Sequence, residues 1–525
     1  MITMASIISA QQAAELLHSG MTVGVGGFGA YSCPDELLRA VAIRFAESGQ
    51  PSGLTVVTGI TPGPNQDSDL GLAQWKAPGL IGTIIAGHIG NAPEIARLVG
   101  RNEIAGYVLP LGVVMHLFRA IAGKKPGVLT HVGLGTYADP RNEGCIGNEK
   151  ARAQGRKIVS LFQLEEGEAL LYHAFPIDAC LIRATYADED GNLSLAHEAL
   201  VDAQLEMAAA VHNNGGIVIA QVEEVVQRGT LPPKTVRLHR SLVDYVVKAT
   251  TRDLHWQSYA CRDYRPELTG EIRCPTSAAA PMPLTIRKVI ARRGALELRP
   301  NALINLGIGI PSGVASVANE EGIAGYTTLS LESGPTGGVP LEGLGFAASV
   351  NPEAIYNIAD TFDLYDGGVL DMTFLGAAEI DADGNVNVSR FGDRCTGPGG
   401  FINISQNTPK VCFMGAFTSG KLSTDISDGR LEITAEGTGK KFVKKVQQIT
   451  FSADYARKTG QEVLYITERA VFRLGDQGLL LTEIAPGIDL QKDILDQMDF
   501  LPHIAPDLKE MDRRIFSDEK MGLAL

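Results

Sequence analysis

The chain contains its own repeat, and no other feature of the sequence constrains the fold as strongly. One copy reads Asp178-ACLIRATYA-Asp188-Glu-Asp190-Gly191-Asn192-Leu-Ser194, and the other Asp371-MTFLGAAEI-Asp381-Ala-Asp383-Gly384-Asn385-Val386-Asn387. Each predicts a strand that starts at an Asp, ends in a D-x-D-G-N turn and returns as a second strand, because a tight Asp-Gly turn between β-rich runs favours a hairpin. A calcium loop would need further ligands and a closing Glu twelve positions on, and neither copy supplies the full set. A second pair supports the match: Val23-GVGGF-Gly29 before a Pro34-led helix resembles Ile304-NLGIGI-Pro311 before its own helix. The expectation is two related open α/β domains in tandem, each with a mostly parallel sheet, spanning 1–274 and 284–525. The Pro-rich, Ala-rich stretch Asp263–Leu284 reads as the linker.

Length and glycine usage agree with that class. At 525 residues the chain is more than one folding unit. Its 59 glycines punctuate short apolar runs: Thr22–Gly29, Leu54–Gly59, Thr83–Gly90, Gly215–Val222, Leu303–Gly309 and Thr327–Gly338. Such runs, alternating with helical patterns at Pro34–Phe45 and Ser312–Asn319, predict buried parallel strands joined by helices.

Charge and cysteine content exclude several functions. A net charge of −14 opposes general nucleic-acid binding, which needs clustered Lys and Arg on phosphates. Seven scattered cysteines (33, 145, 180, 261, 274, 395 and 412), none in CxxC spacing, fit reduced thiols rather than a disulfide framework or a zinc site. The first twenty residues read as an amphipathic helix rather than a signal or transit peptide. No apolar run is long enough for a membrane span, so the cytoplasm is the expected location.

Four strand-end loops are candidates for chemistry, since ligands of α/β proteins gather where helix N-termini and free N–H groups converge. Gly24–Gly29 matches G-x-G-x-x-G by letter but lacks the following acidic residue, leaving tight backbone packing as the competing reading. Asn305-Leu-Gly307-Ile308-Gly309-Ile-Pro311 lets a ligand approach the backbone closely. In Thr327–Gly338 a hydrophobic strand delivers Glu332 into a glycine-rich turn, as a helix cap or as a nucleophile held by neighbouring N–H groups. Gly397-Pro-Gly399-Gly400-Phe401 either exposes adjacent N–H groups to an oxyanion or is an ordinary turn.

The NLGIGIP loop, the SLESGP strand end, the DGNVNVS hairpin and the GPGGFI turn, in that order, resemble the family I coenzyme A transferases, and within them the fused single-chain acetate/propionate type. The stretches PGVLTHVGLGTYADPR, GGIVIAQVE, VLYITERAVF and EIAPGIDLQKDIL extend the likeness along nearly the whole chain. The amino-terminal GGF also fits, although Ser32 stands where glycine is usual. The resemblance implies a ping-pong enzyme that moves CoA from an acyl-CoA to a carboxylic acid through a glutamyl-CoA thioester on Glu332. It implies that Gly400 and Phe401 N–H groups form an oxyanion hole. Gly307, Ile308, Gly309, Asn387, Gly399 and Lys421 would contact CoA. Coenzyme A is then a substrate, no metal or organic cofactor is required, and His88 and His116 are structural. The partners are acyl-CoA and carboxylic acids, without nucleic acid or membrane. A homo-oligomer, by family likeness a tetramer, is expected.

One position departs from the family. A Pro-Gln-Gly loop of the first half, whose glutamine donates a hydrogen bond near the reacting carbonyl, reads here Pro110-Leu111-Gly112. Leucine cannot donate, and with Val108 it makes an acyl site more apolar. The basic run Gly439–Lys445 meets CoA phosphates or forms a solvated face, the latter being favoured. An acyl-CoA hydrolase on the same scaffold and a non-catalytic CoA-binding protein are the competing functions.

Overall fold

The computed structural model describes residues 5–275 and 281–524. It resolves into two compact units. The first comprises Met1–Cys274 with Glu332–Asp363 and Arg390–Gly400, and the second comprises the remainder of the chain. The Ala run of the expected linker lies outside the described residues.

In the first unit the main path of the large sheet is built from β1 (Ser6–Ile7), β2 (Thr22–Val25), β3 (Leu54–Ile60), β4 (Ile81–His88), β5 (Ala105–Val108), β6 (Ala179–Asp188), β7 (Ile217–Val226) and β8 (Tyr245–Lys248). Their order is β1-β8-β7-β6-β2-β3-β4-β5, and every neighbouring pair is parallel. The strands are apolar almost throughout because helices cover both faces of such a sheet. Helix α1 (Ala10–Glu15) is far shorter than the sequence suggested. Helix α2 (Asp35–Ser48) buries Leu37, Leu38 and Val41, carries Asp35 and Glu36 in its first turn, and stops at left-handed Gly49. Helix α3 (Leu111–Ala122) is nearly all buried.

The second unit has β9 (Leu303–Leu306), β10 (Thr328–Ser330), β11 (Met372–Gly376), β12 (Lys410–Met414), β13 (Glu462–Ile466), β14 (Ala470–Gly475), β15 (Gly478–Ile484) and β16 (His503–Glu510). They run in the order β10-β9-β11-β12-β13-β14-β15-β16. The strands from β10 to β13 are parallel, and β14 and β15 continue as antiparallel neighbours. Helix α4 (Gly313–Glu321) follows the β9 loop, and α5 (Phe401–Asn407) leads into β12. Phe413 anchors this core, 5.5 Å from Tyr465 and 4.9 Å from Phe451 between ring centroids.

The repeat holds atom by atom. Asp178 receives the N–H of Thr22 on its carboxylate (2.8 Å), and Asp371 receives that of Leu303 (2.7 Å). Each Asp thereby locks the start of its strand beside the first strand of its sheet. The D-x-D-G-N turns match as well. Asp188 accepts from Asn192 N–H (2.9 Å) and side-chain amide (2.9 Å), and Asp381 from Asn385 at 2.9 and 3.1 Å. Gly191 and Gly384 take φ of +95° and +93°. These carboxylates are occupied in holding the turn.

The division of the chain differs from two contiguous domains. Residues 332–363 and 390–400 were expected in the carboxy-terminal domain 284–525 but group with the first unit. Arg119 on α3 explains part of this: it ion-pairs with Asp360 and Asp363 and donates to Asn357 at 3.3 Å. Tyr31 adds a bond from its hydroxyl to Gly345 O at 2.6 Å. Several expected strands also end earlier. Thr22–Gly29 is a strand only to Val25, Leu303–Gly309 only to Leu306, and Thr327–Gly338 only over Thr328–Ser330. At each, the glycine-rich end leaves the ladder and turns. Among the described residues no helix is long and apolar enough to cross a membrane, and all seven cysteines are free.

Candidate active site

Glu332 follows β10 directly. The bend after it is fixed by Ser333, whose hydroxyl donates to Ala347 O at 2.5 Å. It also requires Gly334, where φ is +122° and a Cβ would lie 2.1 Å from Tyr356 O. The Glu332 side chain is half-buried. Its carboxylate accepts the N–H of Gly400, and burial pushes its pKa up to about 7 against the opposing pull of that single hydrogen bond.

The 396–400 turn is held within the first unit by four bonds. Ile89 N–H donates to Thr396 O (2.8 Å) and Gly399 N–H to Gly87 O (3.0 Å). Leu111 N–H donates to Gly399 O (2.9 Å), and the His88 imidazole Nδ1 meets Gly397 O at 3.2 Å. Gly397 and Gly399 both have positive φ, +86° and +55°. A Cβ on Gly397 would stand 2.1 Å from Val108 Cγ1, so this close packing demands glycine there. At Gly400 a Cβ would stand 1.8 Å from Glu332 Oε2 and 3.0 Å from Phe362 Cζ. The glycine is what lets the carboxylate reach the backbone. At Gly399 the same construction meets Ile60 Cδ1 at 3.8 Å and Glu332 Oε1 at 4.0 Å, so an apolar side chain and the carboxylate both border this turn.

The structure thus brings Glu332, Gly399 and Gly400 together within the first unit. Phe401, the next residue, opens α5 in the second unit, with its ring stacked on Phe413 at 5.7 Å. Gly307, Ile308 and Gly309 form the turn after β9, where Gly307 N–H donates to Phe374 O at 2.8 Å. Ile308 is 65% exposed, and nothing lies within 4 Å of where a Cβ of Gly309 would stand. Lys421 is exposed, just after the short strand Thr418–Ser419. Asn387 lies on a short strand of the second hairpin. It is fully buried, its amide donates to Glu379 Oε2 at 2.7 Å, and its Oδ1 accepts Ser389 N–H at 3.1 Å.

The Gly24–Gly29 loop is a packing element. Gly27 N–H donates to Asp202 Oδ2 at 2.8 Å, and a Cβ on Gly26 would lie 2.8 Å from Gln204 Oε1, leaving no room for a dinucleotide. His116 is held by Asp363 at 2.9 Å. His88 has an unforeseen part, as an anchor of the turn that carries Gly399 and Gly400. Burial holds its imidazole below the usual histidine range. Leu111 stands where the resembled family has glutamine. It acts through its backbone, while its side chain, fully buried, lies 3.1 Å from where Cβ atoms on Gly59 and Gly87 would stand.

Comparison with known proteins gives consistent matches. The coenzyme A transferase family model matches residues 7–249. A caffeate CoA-transferase of Acetobacterium woodii is 46% identical over 525 residues, covering 99% of both chains. The acetate CoA-transferase YdiF of Escherichia coli K12 is 40% identical over 99% of this chain and 96% of its own. The crystal structure of the acyl-CoA transferase YdiF apoenzyme from E. coli O157:H7 superimposes with a TM-score of 0.94 at 39% identity, covering 99% of this chain and 98% of that one. A second structure of that protein, described as a thioester complex with CoA, gives 0.93 over the same shares.

Proposed function

The chain belongs to the coenzyme A transferase family and is a CoA-transferase, and from that premise we propose that it works by a ping-pong mechanism with Glu332 as the acyl and CoA carrier. The Glu332 carboxylate attacks the donor thioester, forming a glutamyl–acyl anhydride and releasing CoA thiolate. The thiolate then attacks the glutamyl carbonyl, giving glutamyl-CoA thioester and the free donor acid. The acceptor carboxylate reverses both steps and leaves as the new acyl-CoA. Every nucleophile is already an anion, so no general base takes part. The thioester bond is conserved throughout, so neither a metal nor an organic cofactor is called for, and CoA is itself a substrate. The single observation that carries this reading is Glu332 itself, half-buried and held by the Gly400 N–H. Gly400 N–H, with that of Phe401 beside it in the chain, would stabilise the oxyanion of each tetrahedral intermediate. Gly307, Ile308 and Gly309 would lie along CoA, with Lys421 reaching a phosphate. The protein would assemble as a homo-oligomer, which light scattering on the purified chain tests directly.

This role gives a pH dependence with a fixed sign. Only ionised Glu332 attacks, and its pKa is raised to about 7. kcat/KM for acyl-CoA is therefore expected to fall about tenfold per pH unit below 7 and to level off above it. The linkage to stability runs the same way. The folded protein holds a proton that the unfolded chain releases above 4.5, so stability falls as pH rises from 4.5 to about 7, by at most ~3 kcal/mol. Glu332→Gln should remove that loss, so its Tm advantage over wild type widens between pH 5 and pH 8. A constant Tm difference across that range would contradict the assignment.

The acyl group is proposed to be short-chain but larger than acetate, since Ile60 gives the Gly399 turn an apolar neighbour and leucine stands at 111 in place of a glutamine that could donate. Leu111→Gln should shift the preference toward acetate across acetate, propionate, butyrate and larger acids. The buried amide should also cost about 1–3 kcal/mol of stability. An unchanged order of preference would reject the role given to Leu111. The hydrolase alternative predicts free CoA released without an acceptor acid, whereas a transferase depends strictly on one.

A further inference from the structure

The two copies of the repeat end differently. In the first unit, five residues after Asp178, stands Arg183, whose guanidinium meets Glu198 at 3.0 Å with both side chains buried. With Asp202 and Gln204 packed on the β2 loop, the carboxyl-terminal edge of that sheet is plugged. In the second unit the residue five after Asp371 is Gly376, and nothing lies within 4 Å of where its Cβ would stand. Gly309 on the neighbouring loop is equally open. The chain order reverses between β9 and β11, so this open edge is the topological switch point at which α/β sheets bind ligands.

An ammonium group overlooks that edge. Gly415 follows β12 directly, and a Cβ there would stand 2.7 Å from Lys441 Nζ and 3.3 Å from Ala377 O, just past β11. Lys441 is therefore turned inward, unlike the solvated face expected of the basic run. Its neighbour Lys440 is taken up by Asp499 at 3.1 Å and by Met498 O at 3.2 Å, and Lys444 and Lys445 are exposed. Among the described residues Lys441 itself forms no ion pair. Glu468 faces it, but that carboxylate is engaged by Arg469 Nε (2.7 Å) and Phe417 N–H (2.9 Å). Burial lowers the amine to about 8, with Glu468 opposing. A half-buried ammonium without an ion pair is costly to keep unless something outside the fold supplies acceptors.

We propose that Lys441 is a substrate-binding residue whose ammonium donates to an oxygen of CoA, phosphoryl or pantetheine carbonyl, lying over Gly376 and Gly415. The inference rests on the CoA-transferase reading and deepens it. Small residues on the floor admit a narrow chain, and the lysine reads its acceptor atom.

The test compares the wild-type protein with Lys441→Met and Lys441→Arg. Lys441→Met should raise KM for acyl-CoA and Kd for free CoA about 10- to 100-fold. KM for the acceptor acid should stay within about twofold, and Lys441→Arg should recover most of the loss. Because the substitution removes a half-buried charge that has no ion pair, Tm of Lys441→Met should equal or exceed that of wild type. With an acyl-pantetheine donor, a penalty that vanishes assigns the contact to a phosphoryl oxygen, and one that persists assigns it to pantetheine. An acyl-CoA KM within about twofold of wild type, or a lowered Tm with both KM values raised together, would overturn the proposal. A wild-type protein without CoA transfer would instead sink the underlying reading, so the two failures are separable.

Discussion

Glu332→Ala is expected to lower CoA transfer by at least about 10⁴-fold, the scale on which enzymes fail when a covalent nucleophile is deleted. The loss should fall on kcat and on kcat/KM alike, because the group removed acts only in the bond-making steps. The protein should remain folded. The side chain is half-buried, it carries a desolvated carboxylate, and above pH 7 its removal relieves that cost. Steady-state rates paired with thermal unfolding at pH 8 check both halves of the expectation. A variant with near-native turnover would show that Glu332 only shapes the turn, and one that is inactive because it is unfolded would leave Tm to expose it.

Gly400→Ala is the second large effect. The added methyl would stand 1.8 Å from Glu332 Oε2 and 3.0 Å from its Cδ, closer than any Cβ contact tolerates. The carboxylate is the far end of a flexible side chain, so it is the partner that moves, and it leaves the Gly400 N–H as it does so. Losing that alignment should cost about 10²–10³-fold in kcat. Overpacking should take only about 1–3 kcal/mol from stability. Gly325→Ala is the matched control. No atom lies within 4 Å of its Cβ position and its φ is ordinary, so it should alter neither rate nor Tm appreciably. Equal behaviour of the two alanine variants would contradict the geometry described for Glu332.

The parts of the fold legible in the sequence were those fixed by local chemistry. Asp178 and Asp371 match in the sequence because the same carboxylate-to-N–H bond locks each strand start, and the D-x-D-G-N turns match because Gly191 and Gly384 need positive φ. Glu332, Gly399 and Gly400 stood out for a similar reason, since a carboxylate among glycines has few structural uses. What tertiary packing decides stayed hidden. No local signal marks residues 332–363 as part of the first unit, a grouping set by partners such as Arg119 with Asp360 and Asp363. Asn387 reads as a polar residue on a short strand, and only Glu379 across the hairpin shows why it is buried. Lys441 sits in a run of lysines that spells a solvated face, and its inward turn depends on Gly415 leaving room. Leu111 also holds Gly399 through its backbone N–H, a bond that its side chain does not announce.

The most direct measurement is the mass of the intact protein after incubation with an acyl-CoA and no acceptor acid. The mechanism predicts a gain equal to CoA less one water, mapped to the peptide containing Glu332, removed by an added carboxylic acid and reducible by borohydride. Wild-type protein that transfers CoA but never carries it covalently, or that carries it on any other residue, would contradict the account.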